Sequence, residues 1–146
     1  MEPLTSQFKL WKLPADSPLP NIPEFLPGMV LARKKGFDIW ISLIEEFERD
    51  KVVAFFCLEE RNTPRHWDWS IRYLYVLPRY RRGGVASSIL KVLKKELRTL
   101  SAAIPEDNLS AQLLFKSEGF YCTRSVYSKV EKKSWYVFTY PFEKGN

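Results

Sequence analysis

The hydrophobic and polar positions of this chain change period several times, and each change marks an element. Ser6 to Leu13 alternates, with Phe8 and Leu10 between polar neighbours, and predicts a short first strand. The proline-rich stretch from Pro14 to Pro27 forbids long regular structure and predicts an ordered loop. Gly28 to Lys35 fits a short helix ending at Gly36. Ile39 to Ile44 and Val52 to Glu59 are rich in β-branched and aromatic residues, and the polar run Glu48-Arg49-Asp50-Lys51 between them makes the pair a β-hairpin. A polar connection, Glu60 to His66, leads to a fourth strand, Trp67 to Val76, which stops at Leu77-Pro78 because proline cannot donate to a sheet ladder.

From Val85 the period turns helical: Val85, Ile89, Leu90, Leu93 and Leu97 share one face, and Lys91, Lys94, Lys95 and Arg98 lie largely opposite as a solvated side. Leu100 to Ile104 predicts a fifth strand. Asn108 suits an N-cap, and Ala111, Leu114 and Phe115 form the apolar stripe of a further helix closed by Gly119. Tyr121 to Val130 and Trp135 to Phe142 end the chain as a hairpin around Glu131-Lys132-Lys133-Ser134.

Length and composition narrow the picture. The 146 residues, 45% of them hydrophobic, suit a single domain over 1–146 with one packed core. Twenty-three basic residues against 17 acidic ones give a net charge of +6, which favours an anionic partner: a phosphorylated cofactor, nucleic acid or an acidic protein surface. With only Cys57, Cys122 and His66 to draw on, neither a disulfide framework nor a metal cluster is expected, and a reducing cytoplasm fits. Met1 to Gln7 has no basic stretch followed by an apolar run, and Val52 to Leu58 is too short to span a bilayer, so no membrane association is expected.

Most of the chemistry gathers in one unit of strand, proline stop, basic glycine-containing loop and helix, from Tyr73 to Ser87. A loop that opens a helix aims unpaired backbone N–H groups at one point, where the helix dipole also favours negative charge. Gly83 and Gly84 let the backbone approach an anion, and Arg81 and Arg82 can add charge-assisted hydrogen bonds. No Lys-Ser/Thr follows the glycines as in a P-loop, and two glycines stand where a dinucleotide fingerprint needs three. The bland alternative is a solvated basic turn whose glycines permit tight packing.

The run Val76-Leu77-Pro78-Arg79-Tyr80-Arg81-Arg82-Gly83-Gly84-Val85-Ala86 resembles the strand-to-pyrophosphate-loop segment of GNAT-type acetyltransferases, with Arg81, Gly84 and Ala86 at its three signature positions. The stretch from Asn108 to Phe120 is similar to the family's second block, with Asn108, Ala111, Gly119 and Phe120 at matching positions. The resemblance runs from about Trp69 to Phe120. It implies an α/β (α+β) fold with a mixed, mainly antiparallel sheet, the fourth and fifth strands parallel and diverging, and helices on both faces. It also implies acetyl-CoA or another acyl-CoA as acyl donor, no metal, and N-acyl transfer to a primary amine of a small molecule or protein. Tyr75, Val76 and Leu77 would lie beside the pantetheine arm, Arg81, Arg82, Gly83, Gly84, Val85, Ala86 and Ser87 around the pyrophosphate, and Asn108 and Phe115 near the arm from the later helix.

That chemistry requires an ammonium to lose a proton, a carbonyl to be polarised and a thiolate to gain a proton. A backbone N–H such as that of Val76 can serve the carbonyl. Phe115 stands where many members carry a tyrosine acid and has no proton to give; Tyr121 is a substitute candidate that reads more simply as a strand residue. Ser70 and Ala103 stand where relatives place a carboxylate. Period 2 along the fourth strand puts His66, Asp68, Ser70 and Arg72 on one face, so Asp68 can act as base through water or with His66, or both are solvated residues at a strand start. Glu59 and Glu60 suit either an ammonium contact or plain surface charge. Two other readings stand beside acyl transfer: a catalytically silent acyl-CoA-binding regulatory protein on the same fold, and an RNA-binding module that uses the +6 charge with Trp67, Trp69 and Arg72.

Overall fold

The computed structural model describes residues 8–62, 67–97 and 99–140. The elements are β1 (Phe8–Lys12), α1 (Leu26–Lys35), β2 (Asp38–Glu46), β3 (Arg49–Asn62), β4 (Trp67–Val76), α2 (Val85–Glu96), β5 (Leu100–Pro105), α3 (Leu109–Ser117), β6 (Tyr121–Ser128) and β7 (Lys133–Tyr140), with a 3-10 turn at Pro78–Tyr80. The strands form a seven-stranded sheet in the order β1-β2-β3-β4-β5-β7-β6. The β4–β5 pair is parallel, whereas β1–β2, β2–β3, β5–β7 and β6–β7 are antiparallel. Two compact units divide the chain: residues up to Glu59 with Arg72–Ile89, and Glu60–Ile71 with Leu90 onward, so that β4 and α2 each run through both.

In the first unit α1 begins at Leu26, two residues before the start that the sequence predicts. Pro27 sits in the first turn, where a missing N–H costs nothing. Gly36 ends the helix at φ 77, with its N–H turned back to the carbonyls of Ala32 and Arg33. Met29 and Ala32 pack with Phe25, Ile39, Ile41, Phe55 and Cys57 into the core of this unit. A Cβ on Gly28 would lie 2.9 Å from Phe55 Cζ, so glycine is what lets α1 come this close to β3.

The β2–β3 turn is tighter than the polar run predicts. Phe47 and Glu48 both adopt positive φ, 53 and 62, as in the two-residue turns whose twist matches the flanking strands. Glu46 therefore pairs with Arg49, and Arg49, Asp50 and Lys51 belong to β3. The charged run forms strand because the turn itself sets the register.

In the second unit Asn108 caps α3 by accepting the N–H of Ala111 at 3.2 Å. The buried Gln112 side chain donates to the carbonyls of Pro105 and Glu106, tying α3 to the end of β5. Phe115 packs edge-on against Phe120, 5.0 Å between ring centroids, and near Phe138. Glu118, 7% exposed, accepts from Lys91 at 2.8 Å and Lys94 at 3.2 Å, and Lys94 also donates to the Glu118 carbonyl. The lysine side of α2 is thus not simply solvated, a correction to the periodicity reading. Arg98 lies outside the described residues.

Two measurements test this packing. Glu118→Gln, which strips the charge from a buried acceptor of two lysines, should lower stability by about 1–3 kcal/mol in urea unfolding. Asp50→Asn, which breaks an exposed pair with Lys9, should cost under about 1 kcal/mol.

Cys57 is fully buried, and burial, helped by Asp38, pushes its thiol up to about 12 from an ordinary 9.0. The native state therefore holds this proton after the unfolded chain has released it. That contribution to stability is complete below pH 9 and shrinks by about 1.4 kcal/mol per pH unit as pH rises from about 9 to about 12. Comparing the pH slope of stability for wild type and Cys57→Ala should reveal it. A thiol reagent at neutral pH should modify exposed Cys122 and spare Cys57 until the chain unfolds.

Candidate active site

Strand β4 changes edges partway along. The Trp69 N–H donates to Thr99 O at the start of β5, whereas the Leu77 N–H donates to Val53 O on β3. Residues eight apart in an uninterrupted strand present their N–H groups to the same edge, so β4 slips by one residue between them. Side-chain contacts locate the slip. Arg72 reaches Phe37 and Glu59, and its neighbour Tyr73 reaches Phe55, all on the side where α1 packs. Consecutive residues share a face where a strand carries an extra residue. After the slip the Val76 N–H faces away from β3, and the β4–β5 ladder has already ended at Ile71↔Ala102.

Leu77 and Pro78 then stop the strand, and a series of short turns follows. The N–H groups of Tyr80, Arg81 and Gly83 bond back to the carbonyls of Leu77, Pro78 and Tyr80. The Tyr80 hydroxyl donates to Glu46 at 3.2 Å, and burial, together with this bond, pushes its phenol up. Arg82 takes φ 72 and Gly84 φ 83, a left-handed geometry that glycine adopts without strain. A Cβ on Gly83 would sit 3.3 Å from Tyr80 O, so this glycine too keeps the turn compact.

The first bond of α2 in this turn runs from Ser88 N–H to Gly84 O. The amides of Val85 and Ala86 at the helix start are therefore not used by its own ladder, and residues 81–84 are exposed. Arg81 is held by two contacts: its Nε donates to Val76 O at 2.9 Å and its guanidinium lies 5.1 Å from the centre of the Tyr75 ring. Arg79 lies over Tyr80. The arrangement is a helix start with unused backbone amides that follows directly on an arginine-rich turn, and its chemistry suits a polyanionic group.

The other residues singled out from the sequence belong mostly to the second unit. Phe115 is 4% exposed in the aromatic core of the second unit, and Asn108 is occupied as a cap. Tyr121 opens β6, an edge strand, with half of its surface in solvent. Ser70 is buried in β4 and Ala103 is exposed in β5. His66 lies outside the described residues, as do the side chains of Asp68 and Trp67. Two contacts escaped sequence reasoning: Tyr80 with Glu46, and Arg72 with Glu59. The second had a signal, since residues 13 apart across a hairpin can face each other. Among the described residues no helix is long and apolar enough to cross a membrane, and no group of His, Cys, Asp or Glu could hold a metal ion.

The model of the acetyltransferase (GNAT) family matches residues 10–120, a span drawn from both units. No significant match exists among curated protein sequences. The fold is similar to that of a GNAT family acetyltransferase from Elizabethkingia anophelis with acetyl-CoA bound, at TM-score 0.69 and 12% identity over 93% of this chain and 99% of that one. It is similar to an IAA acetyltransferase from Bacillus cereus at TM-score 0.68 and 10% identity, covering 90% and 97%. It also resembles Arabidopsis thaliana Naa50 in complex with the bisubstrate analogue CoA-Ac-MVNAL, at TM-score 0.66 and 16% identity, covering 93% and 99%.

Proposed function

The chain belongs to the GNAT acetyltransferase family, and on that premise we propose that it transfers the acetyl group of acetyl-CoA to a primary amine of a small molecule or a protein. The observation that carries the reading is the loop from Arg81 to Ser87, where two left-handed residues lead into a helix start whose first amides its own ladder leaves unused. A pyrophosphate fits it chemically: the amides of Val85 and Ala86 offer donors, Gly84 leaves room, and Arg81 and Arg82 supply charge. Bound there, acetyl-CoA supplies an activated thioester. The Val76 N–H faces away from β3, which supports a role in holding either the donor's arm or the carbonyl oxygen. Among the solved structures of similar fold, one is an IAA acetyltransferase and another is held with the bisubstrate analogue CoA-Ac-MVNAL, which leaves both acceptor classes open.

Two outcomes test cofactor binding. CoA at millimolar concentration should raise the melting temperature through preferential binding to the native state, and an unchanged transition removes the reading. Gly84→Glu should abolish the shift, because φ 83 disfavours any side chain and a carboxylate would repel the phosphates.

The fate of the leaving thiolate gives a second test. Phe115 offers no proton, and a thiol near pKa 8.5 needs little help at neutral pH. The rate of acetyl transfer should therefore rise with pH along a single limb, and Tyr121→Phe should leave the profile unaltered. An alkaline limb that disappears in Tyr121→Phe would identify that residue as the acid. CoA binding without turnover over a broad amine panel would favour the silent acyl-CoA-binding protein instead.

A further inference from the structure

We propose that Glu59 anchors the ammonium of the acceptor and that Arg72 is its positioning residue, an inference that rests on the acetyl-transfer reading. Arg72 donates from both Nε and Nη2 to one oxygen, Glu59 Oε1, at 2.9 and 2.6 Å. A symmetric arginine–carboxylate fork would occupy both oxygens; here Oε2 keeps its lone pairs for another donor. Phe37 braces the arginine from the other side, with the guanidinium 5.3 Å from its ring centre. Arg72 and Glu59 side chains are 37% and 33% exposed, desolvated enough for charge to count and open enough to be reached.

Position supports the assignment. Arg72 follows directly on Ile71, the last β4 residue paired with β5, and lies at the slip that turns the Val76 N–H away from β3. Phe37 is also a wall of a cavity of about 330 Å³, with Lys12, Leu13, Arg33, Gly36 and Asp38 among its other lining residues. That volume is at the small end of the roughly 300–1,000 Å³ range of ligand pockets. Glu59 and Arg72 are not among the cavity's lining residues, and it meets the pair only through Phe37. A surface pair of this kind adds little to stability, so stability does not account for its one-oxygen geometry.

Glycinamide, a small α-amine without an anionic group, serves as the probe, titrated by ligand-observed NMR onto the CoA-loaded protein with N-acetylglycinamide as the neutral counterpart. Glycinamide should bind and its counterpart should not. Glu59→Gln should weaken glycinamide binding at least tenfold, Glu60→Gln should leave it unchanged, and both variants should keep the CoA-induced rise in melting temperature. Glu59→Asp, which retains the charge one methylene further back, should keep part of the preference for ammonium, which a mere packing defect would not do. Undiminished binding to Glu59→Gln, a loss that appears in Glu60→Gln instead, or no binding to the CoA-loaded wild type overturns the proposal. A wild type without a CoA shift overturns the acetyl-transfer reading, and the anchor with it.

Discussion

Between Trp69 and Leu77 the backbone of β4 exchanges its edges, with one N–H given to the β5 side and the other to β3. A regular strand fixes the direction of every amide by parity, and all of them are consumed when both neighbours pair in full. One extra residue at Arg72–Tyr73 breaks the parity, so the Val76 N–H points to an edge where the parallel ladder, only three pairs long, has stopped. The same slip brings Arg72 and Tyr73 onto one face. Arg72 can then meet Glu59 while Tyr73 stays in the core against Phe55. An exposed donor and a positioned ion pair follow from a single irregularity.

The loop that follows depends on this strand end. Arg81 is an exposed side chain that would cost rotamer entropy to order, yet the Val76 carbonyl and the Tyr75 ring already hold it. Both partners come from the last residues of β4, and Tyr80 is fastened to Glu46 at the end of β2. The turn is therefore assembled on strands before any ligand arrives. Charge-assisted hydrogen bonds are worth about 1.5–3 kcal/mol each when the donor need not be reorganised, against about 0.3–1 kcal/mol for the helix dipole alone. On the proposed reading, the preset arginine would contribute the larger share.

Much of this was legible in the chain. The bounds of β4, the start of α2 at Val85 and the Asn108 cap follow from proline, period and capping rules, because each is a local constraint. The turn and helix start after Arg81 were legible for the same reason, since glycines and arginines before a helix act over a few residues, and the phosphate they would hold belongs to the proposed function. What escaped depends on partners distant in sequence. The slip in β4 has no compositional mark, since Ile71-Arg72-Tyr73-Leu74 reads as plain strand. The Lys91 and Lys94 pairing with Glu118 needs the end of α3 to be brought to α2, which helical periodicity cannot convey. The Phe47-Glu48 turn lacks the Asn-Gly or Asp-Gly signal that usually announces its geometry.

On the family resemblance, Phe115, Ser70 and Ala103 leave proton transfer without a side-chain acid or base at those three positions. A lysine-like amine near pKa 10.4 is neutral at pH 7 only about once in 2,500, a penalty of roughly 4.6 kcal/mol, whereas an α-amine near pKa 8 pays about 1.4 kcal/mol. Holding donor and acceptor in attack geometry is worth about 7–11 kcal/mol, which exceeds either penalty. Positioning can therefore sustain the reaction without a strong base, but the margin is several kcal/mol wider for the α-amine. A site built on backbone amides, a fixed arginine and an anchored carboxylate thus favours acceptors whose amine already loses its proton near neutrality. On the proposed reading, the choice of acceptor falls to the geometry of Glu59, Arg72 and Phe37, and the acidity of the amine itself takes the place of a base.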